Sequence, residues 1–235
     1  LNIVSEDGQV TALFSRHYNG LIANFTIEDS TSRSTGSAAF VVGELSGTQN
    51  GEIKNITIKN SEVTAGRDAG GIAVIVYYYS ITDCTIIDTV VNGTNAGIAC
   101  ASMAKGGVGS TKVIDSEANA TNYAGGIFAD SWYGGAGLNT VIDSKITVNN
   151  TSGSTNAAAG GIGGHGYVTS VSSCYTNSDV TINIGHAGGI MGVCRNSMLS
   201  ENFAENKVQG SIGVGGISGT GDSYIWDCIA KATII

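Results

Sequence analysis

The sequence contains no proline, three histidines, 7% aromatic residues and 13% charged residues, and these scarcities remove several classes of protein. With no proline, and with glycines that keep no three-residue period, the chain is not collagen-like. Lys and Arg number 11 against 19 Asp and Glu and form no cluster, so at a formal net charge of −8 nucleic acid is excluded as a partner. The longest apolar run, near 72–76, falls short of the roughly 18 residues that a membrane-spanning helix needs. The opening Leu1-Asn2-Ile3-Val4-Ser5-Glu6-Asp7 lacks the basic start and apolar core of a signal peptide. No His-x-x-x-His or Cys-x-x-Cys pair is present, which removes the common zinc sites. A Gly-x-Ser-x-Gly nucleophile turn is also missing, Gly216-Ile217-Ser218-Gly219 being the nearest approach.

Glycine and evenly spaced β-branched residues are abundant instead, the glycines numbering 35, and this spacing argues against disorder. The stretch 50–72 serves as a reference. Ile56 and Ile58 alternate with Thr57 and Lys59, Val63 lies between Glu62 and Thr64, and the run closes on Gly70, Gly71 and Ile72. Such alternation predicts short strands with one buried face. Asn60-Ser61 and Ala65-Gly66 have turn chemistry.

The rest of the chain consists largely of copies of this unit. Ile72, Ile98, Ile127, Ile162, Ile190 and Ile217 each follow an Ala-Gly-Gly-like triplet, with Phe40 and Leu13 as weaker anchors. Asn60-Ser61-Glu62-Val63 recurs as Asp88-Thr89-Val90-Val91, Asp115-Ser116-Glu117-Ala118, Asp143-Ser144-Lys145-Ile146 and Asn177-Ser178-Asp179-Val180. The two anchors keep step at intervals of roughly 26 to 35 residues, inside the range of stacked-repeat architectures. A unit this short cannot bury its apolar face alone, but stacked units can, through strands paired in parallel and inward columns of Ile, Val and Cys. The expected fold is all-β, a parallel β-helix or β-solenoid of about eight coils, with 1–235 as a single repeat domain. Because both ends fall within a repeat, the chain is expected to belong to something longer.

Cys84, Cys174 and Cys228 occupy the place of Ile56, as small core hydrophobes. At about 4.8 Å per coil the nearest pair would lie about 10 Å apart, beyond the roughly 7 Å reach of a disulfide, and Cys100 and Cys194 are likewise far apart. Free buried thiols are expected. Three glycine-rich runs, 105–109, 134–137 and 163–166, read as insertions clustered along one side of the array. The polar run 149–156 reads as a bulging loop. His165 and His186, next to glycine pairs, read as turn residues.

The pattern Ala-Gly-Gly-Ile followed by Ile-x-Asn/Asp-Ile/Cys, as in Ile53-Lys54-Asn55-Ile56 and Ile81-Thr82-Asp83-Cys84, resembles the GLUG-type repeat of large bacterial surface proteins. The resemblance covers nearly the whole chain. It implies a right-handed solenoid, an extracellular setting at the bacterial cell surface, and a noncatalytic role in an adhesin-like protein or beside an immunoglobulin A1 peptidase. It supplies no catalytic residues.

Two candidate sites follow from the columns. Position five after the anchor is often aromatic, giving Tyr18, Tyr77, Trp132 and Tyr167, with Tyr133 beside them. If that position faces solvent, the rings could stack on the sugars of a host or microbial surface glycan; otherwise they lid the core. Asp88, Asp115 and Asp143 share one position in successive coils. Their carboxylates would either cap turns or share an oxygen-liganded calcium, the one cofactor the sequence suggests. The expected function is a noncatalytic stalk, joined to flanking domains, that presents a surface for a glycan or protein. The alternatives are a carbohydrate-active β-helix enzyme, a polysaccharide lyase or glycoside hydrolase drawing two carboxylates from the Asp column, and an accessory region of a secreted peptidase.

Overall fold

A computed structural model describes residues 1–45 and 51–235, so Asn50, which opens the reference repeat, lies outside the described residues. The described chain is a parallel β-solenoid of about eight turns with no helix. Every strand pairing is parallel and joins one coil to the next: Gly51 lies beside Tyr79, Ile58 beside Ile86, and Ile86 beside Val113. No membrane-length apolar helix is present among the described residues.

Alternation puts one set of side chains inside, and the parallel register stacks that set into columns. Ile22, Ile53, Ile81, Val108, Ala136, Val171 and Leu199 form one such column. Val63, Val91, Ala118, Ile146, Val180 and Val208 form another, each completely buried. The thiols fit this pattern. Cys84 and Cys174 are buried in the column of Ile56, Cys228 is partly buried, and all five cysteines are free.

The corners are made by single residues in the left-handed region. Asn24, Asn55, Asp83, Ser110, Leu138, Ser173, Glu201 and Asp227 form one column, with φ between 50° and 65°. Asp29, Asn60, Asp88, Asp115 and Asp143 form a second, with φ between 46° and 50°. Asn and Asp tolerate this conformation better than other L-residues, which accounts for the repeated Ile-x-Asn/Asp step. Residues inside the corner are small and polar. Ser116 Oγ accepts from Thr89 N at 3.1 Å and donates to Ile114 O at 2.7 Å, and Ser144 repeats the pattern toward Ser116 N. In later coils Asn139 and Asn202 serve similarly at the preceding corner, their side-chain oxygens accepting from Thr111 N and Cys174 N.

Several sequence expectations shift by a residue. Ile72 N donates to Ala99 O, and Ala73 pairs with Cys100, so Ala99 rather than Ile98 stands in the anchor column. Ile98 falls where other coils carry the second glycine and is still buried. Val41, not Phe40, stands beside Ile72 in the same way. Asn177 pairs with Ile142 and Ser178 with Ser144, so that coil skips the Asp143 corner and Asn177 is not in the Asp column. The glycine-rich runs are not insertions. Gly107–Gly109 and Gly135–Gly137 are strands paired with each other, whereas Gly163–Tyr167 is a strand on another face, paired with Phe128–Trp132. His165 and His186 accordingly belong to strands, not turns.

Candidate functional site

One outward column carries the predicted aromatic row. Tyr77, Ala104, Trp132, Tyr167, Arg195 and Asp222 are successive Cα partners along one edge of the solenoid. The neighbouring left-handed corner adds Tyr78, Lys105, Tyr133, Val168 and Asn196. Trp132 and Tyr133 are 48% and 54% exposed, so at these positions the rings face solvent and do not lid the core.

The structure divides the predicted set. Trp132, Tyr133 and Tyr167 meet: the Trp132 and Tyr167 centroids are 5.2 Å apart, and Tyr133 stands edge-on to Tyr167 at 5.8 Å. Tyr77 is two coils away beyond Ala104, packed edge-on against Tyr78 at 4.4 Å, with Lys105 Nζ 3.1 Å from the Tyr78 hydroxyl. Tyr18 is exposed and follows the strand Phe14–His17, two coils before the strand of Tyr77. It belongs to the same edge but not to the same group of rings.

Around the trio lies an open cleft of about 570 Å³, walled also by Tyr123, Asn156, His165 and Arg195. Its depth has a sequence cause. The step from Ala120 to Tyr123 becomes, one coil later, the step from Val148 to Ala158, so the polar loop bulges beside the rings and contributes Asn156. Asn150, 2% exposed, fastens this loop by donating from Nδ2 to Ser154 O and Ile184 O at 2.6 and 2.9 Å.

Asp130 holds the floor together. Its Oδ1 lies 2.8 Å from His165 Nδ1, and its Oδ2 accepts from Trp132 Nε1 at 3.0 Å. An ionised carboxylate only accepts, so His165 carries its proton on Nδ1 in this contact. Tyr123 stacks on His165, with centroids 5.1 Å apart and planes 17° apart. Burial, then the Asp130 charge, push the Tyr123 phenol above its ordinary pKa, against smaller opposing effects of Asn122 and Arg195. Arg195 is exposed and enters none of the ion pairs among the described residues.

Sequence reasoning missed Tyr123, Asp130, Asn156, His165 and Arg195. One local signal was available: Asp130 and Trp132 are two apart in a strand and therefore on one face. The others come from different coils and meet only through register.

Asp88, Asp115 and Asp143 are exposed corner residues, while the buried Ser and Thr residues beside them cap the turns. Among the described residues no three His, Cys, Asp or Glu side chains converge as a metal site.

No protein-family model matches the chain, and no curated protein matches it in sequence. Among solved structures it is similar to a putative immunoglobulin A1 protease from Bacteroides ovatus, with a TM-score of 0.65 and 16% sequence identity over 83% of this chain and 68% of that one. At that identity the likeness shows a shared fold.

Proposed function

We propose that this solenoid is a noncatalytic segment of a bacterial surface protein of the adhesin type, a rigid stalk joined to other domains that also binds carbohydrate. The observation that carries the reading is the cleft in which Trp132, Tyr167, Tyr133 and Tyr123 stand around an open space with Arg195 and Asn156 at its walls. Flat rings cover the apolar face of a sugar, and polar groups at the rim bond its hydroxyls. The lining residues carry no carboxylate, and Asp130 behind them is engaged at both oxygens, whereas glycoside hydrolysis needs two carboxylates flanking the bond. Context as an accessory region of a secreted peptidase is the second reading. It is favoured by the fold likeness to the Bacteroides ovatus protein.

A glycan array followed by calorimetry tests the reading. Trp132→Ala is expected to weaken binding about tenfold, or 1.4 kcal/mol, and Tyr77→Ala to leave it unchanged. Undiminished binding by Trp132→Ala refutes the cleft as the site, and release of products from a polysaccharide panel favours the enzyme.

A further inference from the structure

Resting on the glycan-binding reading, we propose that the cleft selects acidic saccharides, with Arg195 recognising the negative charge. Arg195 is the Cα partner of Tyr167, so its guanidinium continues the platform begun by Trp132 and Tyr167 one coil further on. The neighbouring carboxylates form no ion pair with Arg195. Asp222, the partner of Arg195 in the next coil, accepts at Oδ1 from Asn196 N at 3.1 Å. Asp130 has one oxygen on His165 and the other on Trp132. Among the described residues Arg195 shares the lack of a carboxylate partner with six other Lys and Arg side chains, and what sets it apart is its place on the wall of the aromatic cleft. In a chain of net charge −8, a guanidinium outside any ion pair at the edge of an aromatic platform places a positive group beside the rings.

A second cation stands beyond the other end of the platform. Lys105 follows Ala104, one coil before Trp132, and bonds only a phenol, the Tyr78 hydroxyl, in the described structure. Lys105 and Arg195 are therefore three coils apart, about 14 Å along the solenoid axis. A saccharide laid on Trp132 and Tyr167 along that axis would meet Arg195 at one end, with Lys105 one coil beyond the other end and held against Tyr78. The guanidinium fork suits the planar carboxylate of an acidic sugar and the oxygens of a sulfate ester alike.

Matched neutral, carboxylated and sulfated oligosaccharides distinguish these cases, titrated into the whole chain and into Arg195→Gln, Arg195→Lys and Trp132→Ala. The wild-type chain is expected to prefer an acidic ligand about tenfold, a preference that weakens as salt shortens the reach of the charge. Arg195→Gln should erase the preference, weakening the acidic ligand about tenfold more than its neutral counterpart, and Arg195→Lys should keep part of it. The carboxylated and sulfated arms name the anion. Equal binding of acidic and neutral ligands, or a preference that survives Arg195→Gln, overturns the inference while leaving the aromatic cleft standing. Equal loss of neutral and acidic binding in Arg195→Gln, with an unchanged melting temperature, also overturns it. If no saccharide binds, or Trp132→Ala binds normally, the cleft reading falls and this inference falls with it.

Discussion

Asp130 and His165 lie 35 residues apart in sequence and face each other from adjacent coils, with Asp130 Oδ1 2.8 Å from His165 Nδ1. The same carboxylate accepts from Trp132 Nε1. One side chain thus fixes both the imidazole beneath Tyr123 and the indole at the cleft mouth. Asp130→Ala removes both bonds, at a cost of about 1–3 kcal/mol. In a Trp226→Phe background, Trp132 fluorescence is expected to shift to the red and lose anisotropy. An unchanged spectrum would mean that packing against Tyr167 alone orients the indole.

The corner chemistry separates two neighbours that the sequence presents as one motif. Ser116 is 1% exposed and bonds both Thr89 N and Ile114 O, while Asp115 beside it is exposed at φ +48°. Ser116→Ala leaves a buried amide without an acceptor, which costs about 1–3 kcal/mol. Asp115→Asn keeps the tolerance for the left-handed conformation, so its effect should stay within about 0.5 kcal/mol. Urea midpoints compare the two. Equal destabilisation would place the capping on the carboxylate.

The inward columns and the corner residues were legible in the sequence because they repeat: Ile53-x-Asn55-Ile56 states a buried position, an exposed one and a left-handed one in order. Local slips in register were not legible. Ile98 is as apolar as Ile72 and follows a similar triplet, yet one missing glycine places Ala99 in the column instead. Asn177 mimics Asp143 in type, but its coil omits the corner. The cleft was legible only as a row of rings. Tyr123, His165 and Arg195 lie on three coils, and no spacing along the chain announces that Tyr123 will stack on His165.

The thiols make the fold sensitive to alkali. Burial is the main cause that raises Cys84 and Cys174 from 9.0 to about 11, so between these values the folded state holds protons that the unfolded state has released. The unfolded state then binds fewer protons, and stability falls as pH rises. The loss begins near pH 9 and saturates above about 11, on the order of 2–3 kcal/mol per thiol. Below pH 9 these thiols contribute no slope. Urea melts at pH 8 and pH 10.5 should show the drop, and Cys84→Ala with Cys174→Ala should reduce it after correction for the lost packing, the fully buried Cys100 thiol, raised by the same cause, keeping part of the slope. A chain whose midpoint is unmoved between those pH values has its thiols in contact with solvent.

Two kinds of glycine share this chain, and substitution by alanine should tell them apart. Gly125 begins the Gly-Gly turn before the anchor Ile127. A Cβ there would collide with the carbonyl oxygen of Phe128, and the same collision recurs at Gly70 with Ala73 and at Gly160 with Gly163. The obstacle is backbone, which cannot swing aside as a side chain could, so Gly125→Ala must open the turn and disturb the stacking of both neighbouring coils. The expected cost is about 3 kcal/mol or more. Gly135 sits in a strand, and its nearest contact for an added Cβ is Ser170 O at 3.7 Å, ordinary packing distance. There alanine chiefly reduces the freedom of the unfolded chain and should stabilise by about 0.4–1 kcal/mol. Denaturant midpoints moving in opposite directions would show that the Ala-Gly-Gly repeat is held by steric exclusion at the turn. If both variants lose stability alike, the strand glycines too are held by packing that the 3.7 Å gap does not reveal.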